Sequence, residues 1–304
     1  MFVGHGLLAF SLMALAAERW GVSRERAVTF GVLAALFATV PDVDVVYAPV
    51  GLLLRSVNTL GPDVFWETAN VIHRGPTHSL VMGALLAVAV ALWVTGRDAG
   101  RVLAIGVVGA LVVVATAASG VVGGLVILVY GLGGLGLALL AERLAVSPRQ
   151  ALAVALVGLL SHPFGDLFTG SPPPFLYPLD VTLVAERVLL HPDPTGHLLA
   201  AFAVELATVW LAVWTYARLT GHTLPGLVYP RASLGVGYAV AAFVLPAPTL
   251  DQSAHFVFSV LALSVVGAPV RPFSRGVDWL KTLVTGLAAV TIAALAYTLA
   301  YGLL

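Results

Sequence analysis

The sequence predicts an all-α protein, a polytopic transmembrane helical bundle of about eight to ten spans, on three observations. Of 304 residues, 60% are hydrophobic and 10% charged, with a mean hydropathy of +1.00, so polar side chains are too few to cover a globular surface. Several apolar runs reach or approach the roughly 20 residues that cross a bilayer as helix. Lys and Arg, counted by alternate loops, fall twelve on one side (Arg19, Arg24, Arg26, Arg97, Arg101, Arg143, Arg149, Arg218, Arg231, Arg271, Arg275, Lys281) and three on the other (Arg55, Arg74, Arg187). The positive-inside rule assigns the twelve to the cytoplasm and the N-terminus to the outer face of the cell membrane.

Gly, Pro and charge punctuation divides the chain into ten runs, 3–20, 26–40, 78–95, 102–118, 121–141, 149–169, 197–217, 232–246, 253–269 and 279–303. The first lacks a basic n-region and a small-residue cleavage site and reads as a retained span. Pro41 biases Val40 away from helix and closes the second. Pro76 disfavours helix at Gly75 and Thr77 suits an N-cap, so the third starts at Thr77 or His78. Residues 102–141 carry no charge and, at about 1.5 Å per residue, are about twice as long as a bilayer core is thick. A tight turn at Ser119-Gly120 therefore splits them, and Gly124, Gly131, Gly133, Gly134 and Gly136 allow close packing. Pro163 and Gly165 argue for a kinked or loosened sixth helix. Between runs, 45–72 reads as an interfacial cover and 170–196, which holds Ser171-Pro172-Pro173-Pro174, as an ordered loop. Residues 1–196 thus form a metal-site membrane domain, and 197–304 add helices to the same bundle. The absence of Cys excludes disulfides and thiolate metal sites.

Chemistry concentrates in His73-Arg74-Gly75-Pro76-Thr77-His78-Ser79. With His78 in a first helical turn, the free N–H groups and Arg74 suit an anion, and the two histidines suit a metal. Asp42 and Asp44 emerge at a helix C-terminus, where a cation would offset the backbone carbonyls; solvated acids in a turn are the alternative. His162 and Asp166 are four apart and share a helix face, as metal ligands or as a hydrogen-bonded pair, with Thr169 nearly a turn further on. His5 lies at the same expected face. Asp251 reads as an N-cap beside His255, His191 and Asp193 as loop residues, and Glu205 as an intramembrane acid that needs a partner.

The order His5, Pro41-Asp42-x-Asp44, His73-Arg74-Gly-x-Thr77-His78-Ser79, His162-x-x-x-Asp166-x-x-Thr169 resembles the membrane-bound metal-dependent hydrolase family (YdjM-like), over residues 1 to about 170. That family is distantly similar to the zinc phospholipase C and P1 nuclease group, which also uses a His-x-x-x-Asp helix in a multi-metal site. The resemblance implies a hydrolytic centre with His5, Asp42, Asp44, His73, His78, His162 and Asp166 as ligands. The soluble group adds a His-x-x-x-Glu pair. Here His197 and Glu205 are eight apart, about 12 Å along a helix, too far to share one metal.

The expected function is therefore hydrolysis of a phosphoester of a lipid or other amphiphile at an outer-face site. One or two divalent ions are expected, zinc from the His/Asp set or else manganese. A metal-activated water would attack, a carboxylate of Asp42, Asp44 or Asp166 would take its proton, and Arg74 with the helix start at Thr77 would hold the oxyanion. Membrane lipid is the expected partner, and nucleic acid is not. A transporter or ion-binding protein, in which the same groups line a pathway, and a non-catalytic scaffold are the alternatives.

Overall fold

The computed structural model describes residues 3–47, 74–268 and 278–303. His73 and nearly all of the expected cover at 45–72 lie outside the described residues. The described residues are helical, without strands, and residues 1–187 and 188–304 form two compact units. In the first, α1 is Gly4–Arg19, α2 Arg24–Thr39, α3 Leu80–Trp93, α4 Asp98–Arg143 and α5 Pro148–Gly165. In the second, α6 is Pro194–Thr220, α7 Ala254–Ala262 and α8 Trp279–Tyr301. Five stretches, Arg24–Val45, Asp98–Arg143, Pro148–Phe168, Pro194–Thr220 and Trp279–Tyr301, are long and apolar enough to cross a membrane, as a polytopic bundle requires.

Local signals set the helix starts. Ser23 caps α2 by accepting the Arg26 N–H, and Ser147 with Gln150 closes a capping box on α5, whose first position is Pro148. The eighth run differs from expectation: Pro230–Val240 is a 3-10 helix, followed by one α turn, Ala241–Val244. Gly235 lies there directly on the α8 backbone, where a Cβ would collide with the Ala289 carbonyl.

The uncharged 102–141 run is one helical hairpin. Gly120 breaks α4 with φ 73° and ψ −176°, a conformation open to glycine and strained for other residues. The arms fold back on each other, with Gly124 against Thr116 and Gly131 against Val108. Val102, Val113 and Val121 on these arms are exposed, a surface that suits lipid. The other helices approach at glycines too: Gly31 sits under the Phe10 ring, and Gly134 under Leu86. At Gly158, α5 meets α2 backbone to backbone, and a Cβ there would lie 2.5 Å from both Ala34 O and Phe37 Cβ.

These passes alternate in direction, which sorts their ends. At one end Arg26 donates to the carbonyls of Leu144 and Ala145 (3.2 and 2.9 Å), and Arg101 pairs with Glu142 at 3.3 Å. At the other end lie the start of α1, the end of α2, the start of α3, the Gly120 turn and the end of α5. Replacing Gly158 by Leu should overpack the α2–α5 contact at a cost of about 1–3 kcal/mol and lower Tm in detergent, whereas Gly136→Leu, whose Cβ meets nothing within 4 Å, should leave Tm unchanged.

Candidate metal centre

Four helix ends deliver the polar side chains. His5 is in the first turn of α1. Asp42 and Asp44 sit in a 3-10 turn, Pro41–Tyr47, that continues from α2. Val40 keeps helical angles (φ −66°, ψ −36°), so Pro41 tightens the helix where an end was expected; proline disfavours that conformation before it without forbidding it. His78 ends a separate 3-10 turn, Pro76–His78. The third helix consequently starts at Leu80, two or three residues later than expected, with Ser79 as its N-cap. The Ser79 hydroxyl accepts from the N–H groups of Val81 and Met82 (3.1 and 3.3 Å) and donates to the Tyr177 carbonyl at 2.7 Å. The N–H groups of His78, Ser79, Leu80 and Val81, expected to be open to an anion, are thus already bonded. In α5 the helix runs through Pro163 to Gly165 and then tightens into a 3-10 turn, Asp166–Phe168, keeping His162 and Asp166 on one side.

Five of the seven expected ligands converge. One trio is Asp42, His78 and His162, the other His5, His162 and Asp166, and within each the ligand atoms lie within 4.8 Å of one another. His162 Nε2 is 3.3 Å from Asp42 Oδ1 and 3.1 Å from His78 Nε2, and His78 Nε2 is 3.7 Å from Asp42 Oδ1. A tetrahedral ion with bonds of about 2.1 Å holds its ligands about 3.4 Å apart, so the first trio has the spacing of three corners. In the second, His5 Nε2 is 3.4 Å from Asp166 Oδ1, and the His5 and His162 rings stack at 4.0 Å. Asp166 touches both groups, since its Oδ2 is 3.3 Å from His78 Nε2.

The imidazoles are aimed by their other nitrogens. His162 Nδ1 is 2.6 Å from the carbonyl of Ala38, which lies in the last turn of α2, where carbonyls lack helical partners. A carbonyl only accepts, so Nδ1 carries the proton and Nε2 presents a lone pair. Thr77 Oγ1 donates its one proton to Asp44 Oδ2 (3.2 Å), and therefore accepts at 3.0 Å from His78 Nδ1, which turns Nε2 toward His162. The Nε2 atoms of His78 and His162 thus face each other across 3.1 Å, beside carboxylate oxygens of Asp42 and Asp166. Asp166 Oδ2 is buried and, among the described residues, has His78 Nε2 at 3.3 Å and His162 Nε2 at 3.8 Å as its nearby basic atoms. This grouping of imidazole nitrogens and carboxylate oxygens could hold a metal ion, and orientation of each ring by a carbonyl or carboxylate is the usual arrangement around a bound metal.

Asp44 and Thr77 depart from their expected places. Asp44 is fully buried on the Nδ1 side of His78 (3.6 Å), where its Oδ2 also accepts the Arg74 N–H at 3.2 Å. It belongs to neither trio, and the Thr77 hydroxyl is committed to it. Arg74, with φ 64°, points its Nη2 at Asp166 Oδ1 (3.3 Å) and Thr169 Oγ1 (3.2 Å). Its guanidinium fills the space where a side chain on Gly170 would be. Three carboxylates, of Asp42, Asp44 and Asp166, against one guanidinium leave two negative charges when the histidines are neutral, a balance that suits one divalent ion.

In the second unit Asp193, His191, His197 and His255 bond locally. Asp193 caps α6 through the Gly196 N–H, His191 Nδ1 accepts from the Asp193 N–H and His197 Nδ1 from the Leu190 N–H. His255 Nε2 donates to the Pro246 carbonyl, and the N-cap of α7 is Ser253 rather than Asp251. One protein family model, described as YdjM inner membrane protein, matches residues 1–265. No curated protein and no solved structure matches the chain. Replacing Thr77 by Val removes a buried hydroxyl from between Asp44 and His78, and should cost about 1–3 kcal/mol, read as a lower Tm; an unchanged Tm would contradict the bridging role of that hydroxyl.

Proposed function

The chain belongs to the YdjM inner membrane protein family, and from that premise we propose that it is a membrane-embedded, metal-dependent hydrolase acting on a phosphoester of a lipid or other amphiphile. The observation that carries this reading is the convergence of the His78 and His162 Nε2 atoms, 3.1 Å apart, with carboxylate oxygens of Asp42 and Asp166 from separate helix ends.

Asp42, His78, His162, His5 and Asp166 would hold one or two divalent ions, zinc by the His/Asp donor set, with manganese the alternative. A divalent ion there supplies Lewis acidity and a water that is nucleophilic near neutral pH. Asp42 is the carboxylate able to take a proton from an incoming water, because its side chain is 33% exposed while those of Asp44 and Asp166 are at 0% and 3%. Asp44 acts through His78, holding the ring by way of Thr77, and is a positioning residue. Arg74 is the group to meet the substrate's anionic oxygens: its Nε has no hydrogen-bond partner among the described residues, and its fork already faces the site.

The site lies at the end of the first unit opposite Arg19, Arg24, Arg26, Arg97, Arg101, Arg143 and Arg149, which by the positive-inside rule favours the outer face of the membrane. A scaffold whose ion only ties helix ends together would bind the same metal without turnover.

Elemental analysis of purified protein should find zinc or manganese, lost in His78→Ala plus Asp166→Ala; full metal content in that double variant would exclude the shared site. With phosphatidic acid in vesicles as the probe, Asp42→Asn should lower turnover by about 100-fold or more with Tm retained. A metal-loaded, folded wild type that turns over no phosphoester would favour the scaffold.

A further inference from the structure

A groove in the first unit runs between α2 and the second arm of α4. Its cavity is about 350 Å³, walled by Leu36, Val40, Val43, Gly133 and Leu137, with Thr39 turning its hydroxyl back onto the Leu36 carbonyl (2.8 Å). The lining is thus mainly hydrocarbon, with Asp42 its one charged group.

Asp42 is also where the metal centre opens. The side chains of His78 and His162 are at 0% exposure and that of His5 at 4%, against 33% for Asp42, so among the described residues the groove reaches the site at its most accessible ligand. The flanks outside the groove are apolar and exposed: Val32 on α2, Leu132 and Leu139 on α4. In a chain of this hydropathy such exposed apolar side chains suit lipid tails. Its volume is at the low end of the roughly 300–1,000 Å³ of ligand pockets, enough for one aliphatic chain. Gly133 sets the width, since a Cβ there would just touch Val40 Cγ1 at 3.5 Å and a longer side chain would occupy the slot.

We propose that this groove holds a single aliphatic chain of a membrane lipid, admitted laterally from the bilayer, with the lipid's polar end at Asp42. The proposal rests on the hydrolytic reading for what happens at that polar end, and the groove itself can be tested apart from it.

The full chain, reconstituted in phosphatidylcholine vesicles containing phosphatidic acid with a diazirine on its acyl chain, is irradiated and its adducts mapped by mass spectrometry. Adducts should concentrate on 36–43 and 133–137 relative to the lipid-facing stretch 102–114. Gly133→Leu should lower groove adducts by at least roughly tenfold, the loss expected when about two methylene groups are kept out of an apolar slot. Gly136→Leu, which points into open space, should label as the wild type does. Leu137→Trp provides a second block should Gly133→Leu fail to fold, judged by Tm. Equal labelling of groove and reference stretch, or wild-type labelling in a folded blocking variant, overturns the proposal. Metal content measured on the same samples separates the two ideas: groove labelling without metal supports the groove and sinks the hydrolytic reading, while metal without groove labelling sinks the groove alone.

Discussion

The bond from His162 Nδ1 to the Ala38 carbonyl is the constraint on which the site depends. It forms only because α5 and α2 touch backbone to backbone, and they can do so only because residue 158 has no side chain. The contact serves three purposes together. It satisfies a carbonyl that α2 leaves open at its end, fixes the tautomer of His162, and brings Asp166, one turn on, to the groups at the end of α2. A helix-packing interaction worth little by itself thereby decides where five ionisable side chains meet.

Much of the fold was legible because apolar length, proline and charge act locally. Each of the ten runs read from the sequence is helical, and the reversal at Gly120 follows from an uncharged stretch too long for one crossing. The 3-10 geometry of residues 230–240 was not legible, since it depends on Gly235 lying against α8. In the site, His5, Asp42, His78, His162 and Asp166 could be picked out because metal-binding side chains in apolar surroundings are conspicuous. Their orientation could not. Ala38 contributes a backbone atom, which no sequence motif records, and Gly170 contributes the absence of atoms where Arg74 lies. Thr77 is an attractive cap on paper, yet Ser79 takes that role because Pro76 first closes a turn of its own and leaves residue 79 extended.

The two aspartates near position 42 illustrate how neighbours of identical chemistry are separated by environment. Asp42 faces the Nε2 atoms and the groove; Asp44, two residues on, is sealed behind His78 by a hydroxyl and a backbone N–H. Burial without those donors would be costly for a carboxylate. The cost is offset by Thr77 and by the left-handed turn at Arg74 that points its N–H inward.

The glycine turn at the middle of α4 also bears on how the protein is made. Its tip, around Ser119 and Gly120, carries no charge, and Ser119 finds a hydroxyl partner in Tyr177 once the unit is assembled. A short uncharged tip leaves few polar groups to hydrate when the two arms enter a bilayer. Ser119 and Gly120 stay exposed in the folded unit, so the tip needs no further chain to cover it.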